Sequence, residues 1–212
     1  MARWHFHGIS PTPTVICDGI VTDTGGEALG NMYPFYRNRK TLRDAVSSPL
    51  TIALTCTYDT VANTGTANAT ITNTSAASVS GTLQFVVIEN SIPYNWSNLT
   101  TVEHVCRQML PDSSGEAVTI PAGNNIVRSR AFTIQSSWNE KNIKIVCFVQ
   151  ASDKTIYQGG QIGIVPQPKM SYWGLTFVET SGNGNRVAQP GEAIRLYLHG
   201  KNNGNGSYTG TA

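Results

Sequence analysis

Four cysteines, four histidines and a scatter of serines and carboxylates are the side chains here whose types could do chemistry, and their spacing decides what kind. Cys17, Cys56, Cys106 and Cys147 lie tens of residues apart and form no C-x-x-C pair, which argues against a zinc ribbon or a complete dithiol redox site. Strand parity groups Cys56 with Ile52, Leu54 and Tyr58, and Cys147 with Ile143, Ile145 and Val149. Both are expected to face a core, where a free cysteine behaves as a small hydrophobe. A disulfide among the four is the alternative. His5, His7, His104 and His199 are too scattered to make a ligand set by spacing, and His5-x-His7 reads as a terminal surface pair. No G-x-S-x-G or other nucleophile context surrounds any serine. Asp18, Asp23 and Asp59 form no calcium loop. Glu179 and Glu192 flank Gly182-Asn-Gly-Asn and offer oxygens to Ca²⁺, but asparagine stands where a carboxylate is expected. A tight type I′ turn is the simpler account. We therefore assign no catalytic residue, cofactor or metal, and expect a role other than catalysis.

Two further sets of residues point outward. Asn68, Asn73, Asn95, Asn98 and Asn205 each open an N-x-S/T triplet and are candidate glycan acceptors, though several are expected by chance in a chain this rich in Asn and Thr. Trp96, Trp138 and Trp173 offer a carbohydrate platform or, more simply, packing.

The elements that position these residues follow from composition. Only 13% of the 212 residues are charged, about half the usual share, and about two dozen Thr take up much of the difference. Hydroxyls and amides suit strands and turns better than helix surfaces. A net charge of +2 leaves no basic footprint for nucleic acid, and no apolar run approaches the roughly 20 residues of a membrane span. Residues 1–8 contain no apolar h-region, so the chain is expected to be cytoplasmic, or the mature form of a secreted protein. The composition favours the extracellular or cell-surface setting.

Residues 1–47 read as a short extended piece, Thr14-Val15-Ile16-Cys17 before the turn Asp18-Gly19, followed by one helix from Tyr33 with Tyr36, Leu42 and Ala45 as its inner side. Arg37, Arg39, Lys40 and Arg43 then form a solvated basic face. Across 48–165 the apolar residues alternate with period two between turns: Ile52, Leu54, Cys56, Tyr58; Ala67, Ala69, Ile71; Leu83, Phe85, Val87. After an irregular stretch from Ser91 to Glu116, strands resume at 117–120, 127–134, 143–150 and 155–164. Several short strands without intervening helices predict a mainly β chain, an immunoglobulin-like antiparallel sandwich rather than a barrel.

Pro166-Gln-Pro-Lys marks a linker, and 166–212 read as the first strands of a second β-sandwich module. Asn73 precedes Gly81-Thr82 by the spacing with which Asn202 precedes Gly210-Thr211, each Asn closing an alternating strand. Two strands cannot bury a core. They leave an open edge and one apolar face.

Three stretches resemble the Omp28-related family of bacterial outer membrane proteins: 85–96 (FVVIENSIPYNW), 104–118 (HVCRQMLPDSSGEAV) and 132–150 (FTIQSSWNEKNIKIVCFVQ). The resemblance covers about 1–165 and implies a surface or secreted protein, with the end of a thioredoxin-like part before an immunoglobulin-like domain. Thr12-Pro13-Thr14-Val15 would hold that fold's cis-proline. The half that carries C-x-x-C is absent, so no redox activity is implied. The segment with Gln189-Pro-Gly-Glu and Asn202-Asn-Gly-Asn-Gly is similar to repeated adhesion-type β-modules.

The chain thus reads as beginning inside one module and ending inside another. The expected partner is another copy of itself, joined head to tail into a filament by strand complementation, with no nucleic acid and no membrane span. Val15, Ile16, Tyr172, Trp173, Ile194, Leu196, Leu198 and Tyr208 are the expected interface. A monomeric secreted adhesion module and a thioredoxin-like remnant are the alternatives.

Overall fold

The alternating runs 50–59 and 64–73 become strands whose apolar parity is more buried than their Thr/Asn parity. A computed structural model describes residues 6–10, 13–26, 31–96, 99–166, 170–185, 187–203 and 206, with the side chain of Trp96 excepted. The chain divides into two structural units, 1–164 and 165–212.

In the first unit, β1 (Thr14–Cys17) and β2 (Val21–Thr24) form a hairpin. Its turn takes positive φ at Asp18 and Gly19, and a Cβ at Gly19 would overlap the Lys154 carbonyl. Only glycine allows that approach. Helix α1 (Tyr33–Asp44) carries Pro34 in its first turn, where a missing N–H costs nothing, and Asn31 Oδ1 accepts from the Tyr33 N–H at 3.0 Å. Its inner side differs from the expected one. Tyr36 is half-buried as read, but Leu42 and Ala45 are exposed, and Arg39 and Arg43 turn inward instead. Carboxylates of the hairpin draw them in: Arg39 donates to Asp23 at 3.1 Å and Arg43 to Asp18 at 2.7 Å. With Lys40 paired to Asp44, most of the basic face is neutralised locally.

Two antiparallel sheets follow. Strands β3 (Leu50–Asp59), β4 (Thr64–Asn73) and β10 (Asn125–Thr133) form one, in the order β10-β4-β3. The other is built on β5 (Val79–Glu89), which pairs with β9 (Glu116–Ile120) along its first half and with β8 (Val105–Leu110) along its second. Beyond β5 lie β11 (Ile143–Gln150) and β12 (Ile156–Gly163). The stretch expected to be irregular is therefore mostly strand, because β6 (Ile92–Trp96) and β7 (Leu99–Val102) pair as a separate hairpin before β8. Pro93 is tolerated there because a two-stranded ribbon has free edges.

The sheets form a sandwich whose core comprises Leu50, Ala67, Ala69, Ile71 and Phe132 from the first sheet, and Leu83, Phe85, Val87, Ile120, Ile143, Ile145, Cys147 and Val149 from the second. One flank closes by backbone approach, since a Cβ at Gly160 of β12 would lie 3.5 Å from Leu54 of β3. The other closes by charge. Glu116 of β9 accepts from Arg128 Nε of β10 at 2.7 Å and also from Arg130, whose guanidinium lies 5.7 Å from the Phe85 ring centroid. Burial raises the Glu116 carboxyl pKa, but the bonds from Arg128 and Arg130 outweigh it and the net shift is downward.

Asn73 ties two turns together. Fully buried, it donates from Nδ2 to the Ala77 and Ile120 carbonyls at 2.8 and 2.9 Å and accepts from the Ser75 N–H. It has no room for a glycan in the folded chain, so that candidate acceptor is withdrawn. Asn68 is half-buried with Ser129 on its carbonyl, Asn95 is exposed, and Asn98 and Asn205 lie outside the described residues.

All four cysteines are free thiols. Cys147 is fully buried and its pKa is pushed up to about 12, whereas Cys56 is half-buried on the inward parity of β3 and pushed up to about 11. Cys17 is half-buried and Cys106 is exposed.

Candidate interaction surface

The second unit is a single long hairpin, β13 (Met170–Ser181) and β14 (Ala193–Asn202). The connection runs from 182 to 192. Both nearby carboxylates serve its backbone: Glu179 accepts from the Gly184 N–H at 2.7 Å, and Glu192 accepts from the N–H groups of Asn183 and Gln189. Three of the four carboxylate oxygens are thus engaged by the loop itself, while Glu179 Oε2 is buried without a hydrogen-bond partner.

Register sorts the hairpin into two unlike faces. Leu175 pairs with Leu198, Phe177 with Leu196 and Glu179 with Ile194, and paired residues share a face. A bulge at Trp173, where Tyr172 pairs with Gly200 and Gly174 with His199, shifts the parity and brings Tyr172 and Met170 onto the same side. That face holds Met170, Tyr172, Leu175, Phe177, Ile194, Leu196 and Leu198, each 38–74% exposed. Soluble monomers rarely expose a contiguous apolar patch beyond a few hundred Å². The opposite face carries Trp173, Thr176 and Val178 on β13 and Arg195, Tyr197, His199 and Lys201 on β14. Thr176 Oγ1 lies 2.8 Å from His199 Nε2, and Lys201 Nζ lies 4.6 Å from the Trp173 ring centroid.

Of the expected interface residues, Tyr172, Ile194, Leu196 and Leu198 share the apolar face, while Trp173 is on the other. Val15 and Ile16 belong to the first unit, half-buried in β1 and paired with Asp23 and Thr22. Tyr208 lies outside the described residues. Sequence reading missed Met170, Leu175 and Phe177, and the bulge-disposed Gly174 was the signal that β13 breaks strict alternation. Of the two tryptophans with described side chains, Trp138 belongs to the first unit, with the Arg107 guanidinium 5.4 Å from its ring centroid, and Trp173 belongs to the second. The Thr12–Pro13 bond and His5 lie outside the described residues, and His104 sits in a turn with positive φ.

Open edges remain as well. In the first unit β4 is flanked by both β3 and β10, whereas among the described residues β14 has β13 on one side and no strand on the other. The two hairpins otherwise match. Both second strands end in asparagine, and Asn202 Nδ2 donates to the Gly206 carbonyl four residues on, as Asn73 donates to Ala77. Leu50 opposes Asn73 as Met170 opposes Asn202. The covered face of β3–β4 therefore corresponds to the apolar face of β13–β14.

Among the described residues no helix is long and apolar enough to cross a membrane. No curated protein matches the chain. Among solved structures it is similar to the alkylpurine DNA glycosylase AlkC of Pseudomonas fluorescens, at 10% identity and a TM-score of 0.34, over 59% of this chain and 33% of that one. It is also similar to a family 3 β-glucosidase of Bifidobacterium adolescentis, at 19% identity and 0.28, over 54% and 17%, and to a β-glucosidase of Kluyveromyces marxianus, at 11% and 0.32, over 61% and 16%. The chain spans a third or less of each. The family described as outer membrane protein Omp28 matches residues 9–165. That span holds a cluster around the buried Glu89 to which the three quoted stretches all contribute: Glu89 accepts from Arg107 at 2.7 Å and from the Asn139 N–H at 2.9 Å, and Arg107 lies over the Trp138 ring. The chain belongs to the Omp28 outer membrane protein family, and its setting is the cell surface or outer membrane.

Proposed function

We propose that this chain is a non-catalytic structural protein of the cell surface, an immunoglobulin-like sandwich subunit that associates with other copies of itself head to tail. In this reading the β13–β14 hairpin of one molecule enters the next, which lays a strand along the open edge of β14 and covers the apolar face. The β1 edge, with Val15 and Ile16, is the acceptor. The observation that carries the reading is the one-sided hairpin, seven exposed apolar side chains on the face that its counterpart β3–β4 buries. A head-to-tail contact is heterologous and propagates unless it closes.

Sedimentation velocity at micromolar concentration tests it. The full chain is expected to form concentration-dependent oligomers, and Phe177→Asp with Leu196→Lys to abolish them while leaving the sandwich folded. Dispersed monomers of the unsubstituted chain would overturn the reading in favour of a monomeric adhesion module.

A further inference from the structure

The outward face of the second hairpin differs in kind from that of the first. On β3 the outward residues are Thr51, Ala53, Thr55 and Thr57, and on β4 they are Asn68, Thr70 and Thr72. These are neutral, small and without an aromatic ring. On β14 the same parity reads Arg195, Tyr197, His199 and Lys201, all exposed, with Trp173 stacked against Lys201 across the bulge. Among the described residues neither Arg195 nor Lys201 forms a salt bridge. The region also holds the chain's excess of positive charge. Lys169, Arg186, Arg195 and Lys201 against Glu179 and Glu192 give residues 165–212 the whole of the chain's formal +2.

We infer that this face of β14 is a binding strip for a carboxylated polysaccharide, a uronate-rich chain of the kind exposed at cell surfaces. Same-face residues of a strand recur every ~7 Å, so Arg195 to Lys201 spans roughly 20 Å of nearly straight track. An extended anionic polymer matches that geometry better than a compact ligand. Arg195 presents a planar fork suited to carboxylates, and Lys201 a point charge. The exposed rings of Tyr197 and Trp173, 43% and 68% accessible, offer flat apolar surfaces for sugar C–H faces between the charges. Two cations and an imidazole are too few to hold nucleic acid, whose binding rises with each phosphate neutralised. The strip stays outward however the apolar face is covered, so the inference stands apart from self-association.

The test is binding of the full chain to immobilised polygalacturonate, with neutral dextran, polyglutamate, single-stranded DNA and anionic phospholipid vesicles as parallel probes. Binding to polygalacturonate and not to dextran is expected. Arg195→Gln with Lys201→Gln is expected to weaken it about tenfold, the order for two screened surface cations, and the charge-keeping pair Arg195→Lys with Lys201→Arg to restore most of it. Trp173→Ala with Tyr197→Ala is expected to weaken polygalacturonate binding and leave polyglutamate binding unchanged. Unchanged binding in both double variants overturns the inference, as does tighter binding to DNA or vesicles, or no binding by the full chain. Sedimentation of the unsubstituted chain separates the two proposals: monomers that bind the polysaccharide defeat only the assembly reading, and oligomers that do not bind it defeat only this one.

Discussion

β3–β4 and β13–β14 are built alike and live differently. Each is an antiparallel hairpin whose second strand closes on an asparagine that bonds the carbonyl four residues on. Over the first lies a second sheet, and Ile71, Ala69 and Ala67 are fully buried. Over the second the corresponding positions, Tyr172 to Leu198, stand in solvent. Local register and capping make a hairpin, but burial of its apolar face needs a second layer, and that layer is a separate provision.

The comparison breaks most sharply at matched core positions. Ile71→Ala is expected to cost about 2–5 kcal/mol by the cavity it leaves, while Leu198→Ala should change monomer stability by no more than about 0.5 kcal/mol. Urea titration of both variants at submicromolar concentration checks this, and equal losses would mean that the second face is covered within one molecule. The asparagines give a middle-sized contrast. Asn73→Ala removes its bonds to the Ala77 and Ile120 carbonyls, the second of them buried, and should cost about 1–3 kcal/mol, whereas Asn202→Ala, in an exposed strand end, should cost under about 1 kcal/mol. Thermal melts of the pair measure it. Smallest is the acid dependence of the first unit's charged flank. Glu116 titrates lower folded than unfolded, so its bridge to Arg128 and Arg130 stabilises fully above the unfolded glutamate pKa and is lost as pH falls through the folded one. Part-exposed as these side chains are, the effect should be about 1 kcal/mol. Melting temperature against pH for Glu116→Gln should lose that acid slope, and an unchanged slope would show that the flank is held by packing alone.

How much of this was legible beforehand varies with what each residue faces. β3, β4 and β11 alternate cleanly because one side meets the core, so Cys147 and Ile71 were placed by parity alone. In β5 the second half is buried on both sides, Val86 and Ile88 as well as Phe85 and Val87, and a register shift opposite β8 disguises the pattern of 105–110. The helix misled because its inward contacts are ionic: Arg39 and Arg43 answer Asp18 and Asp23, a pairing that hydrophobic periodicity cannot see. On the hairpin, Ile194, Leu196 and Leu198 gave the apolar side of β14 directly, while the bulge at Trp173 moved Leu175 and Phe177 onto a parity that strict alternation assigns to Gly174 and Thr176.

The four thiols amount to a graded clock for opening the molecule. Cys106 is exposed, Cys17 and Cys56 are half-covered, and Cys147 is sealed at the centre of the sandwich. An alkylating reagent needs thiolate and access, so Cys106 labels without unfolding, and Cys147 labels only through whatever fluctuation parts the two sheets. Site-resolved labelling rates then rank local against global opening free energies in the unmodified protein. When neighbouring molecules are allowed to associate, the same rates report whether assembly tightens the sandwich or leaves it breathing as before.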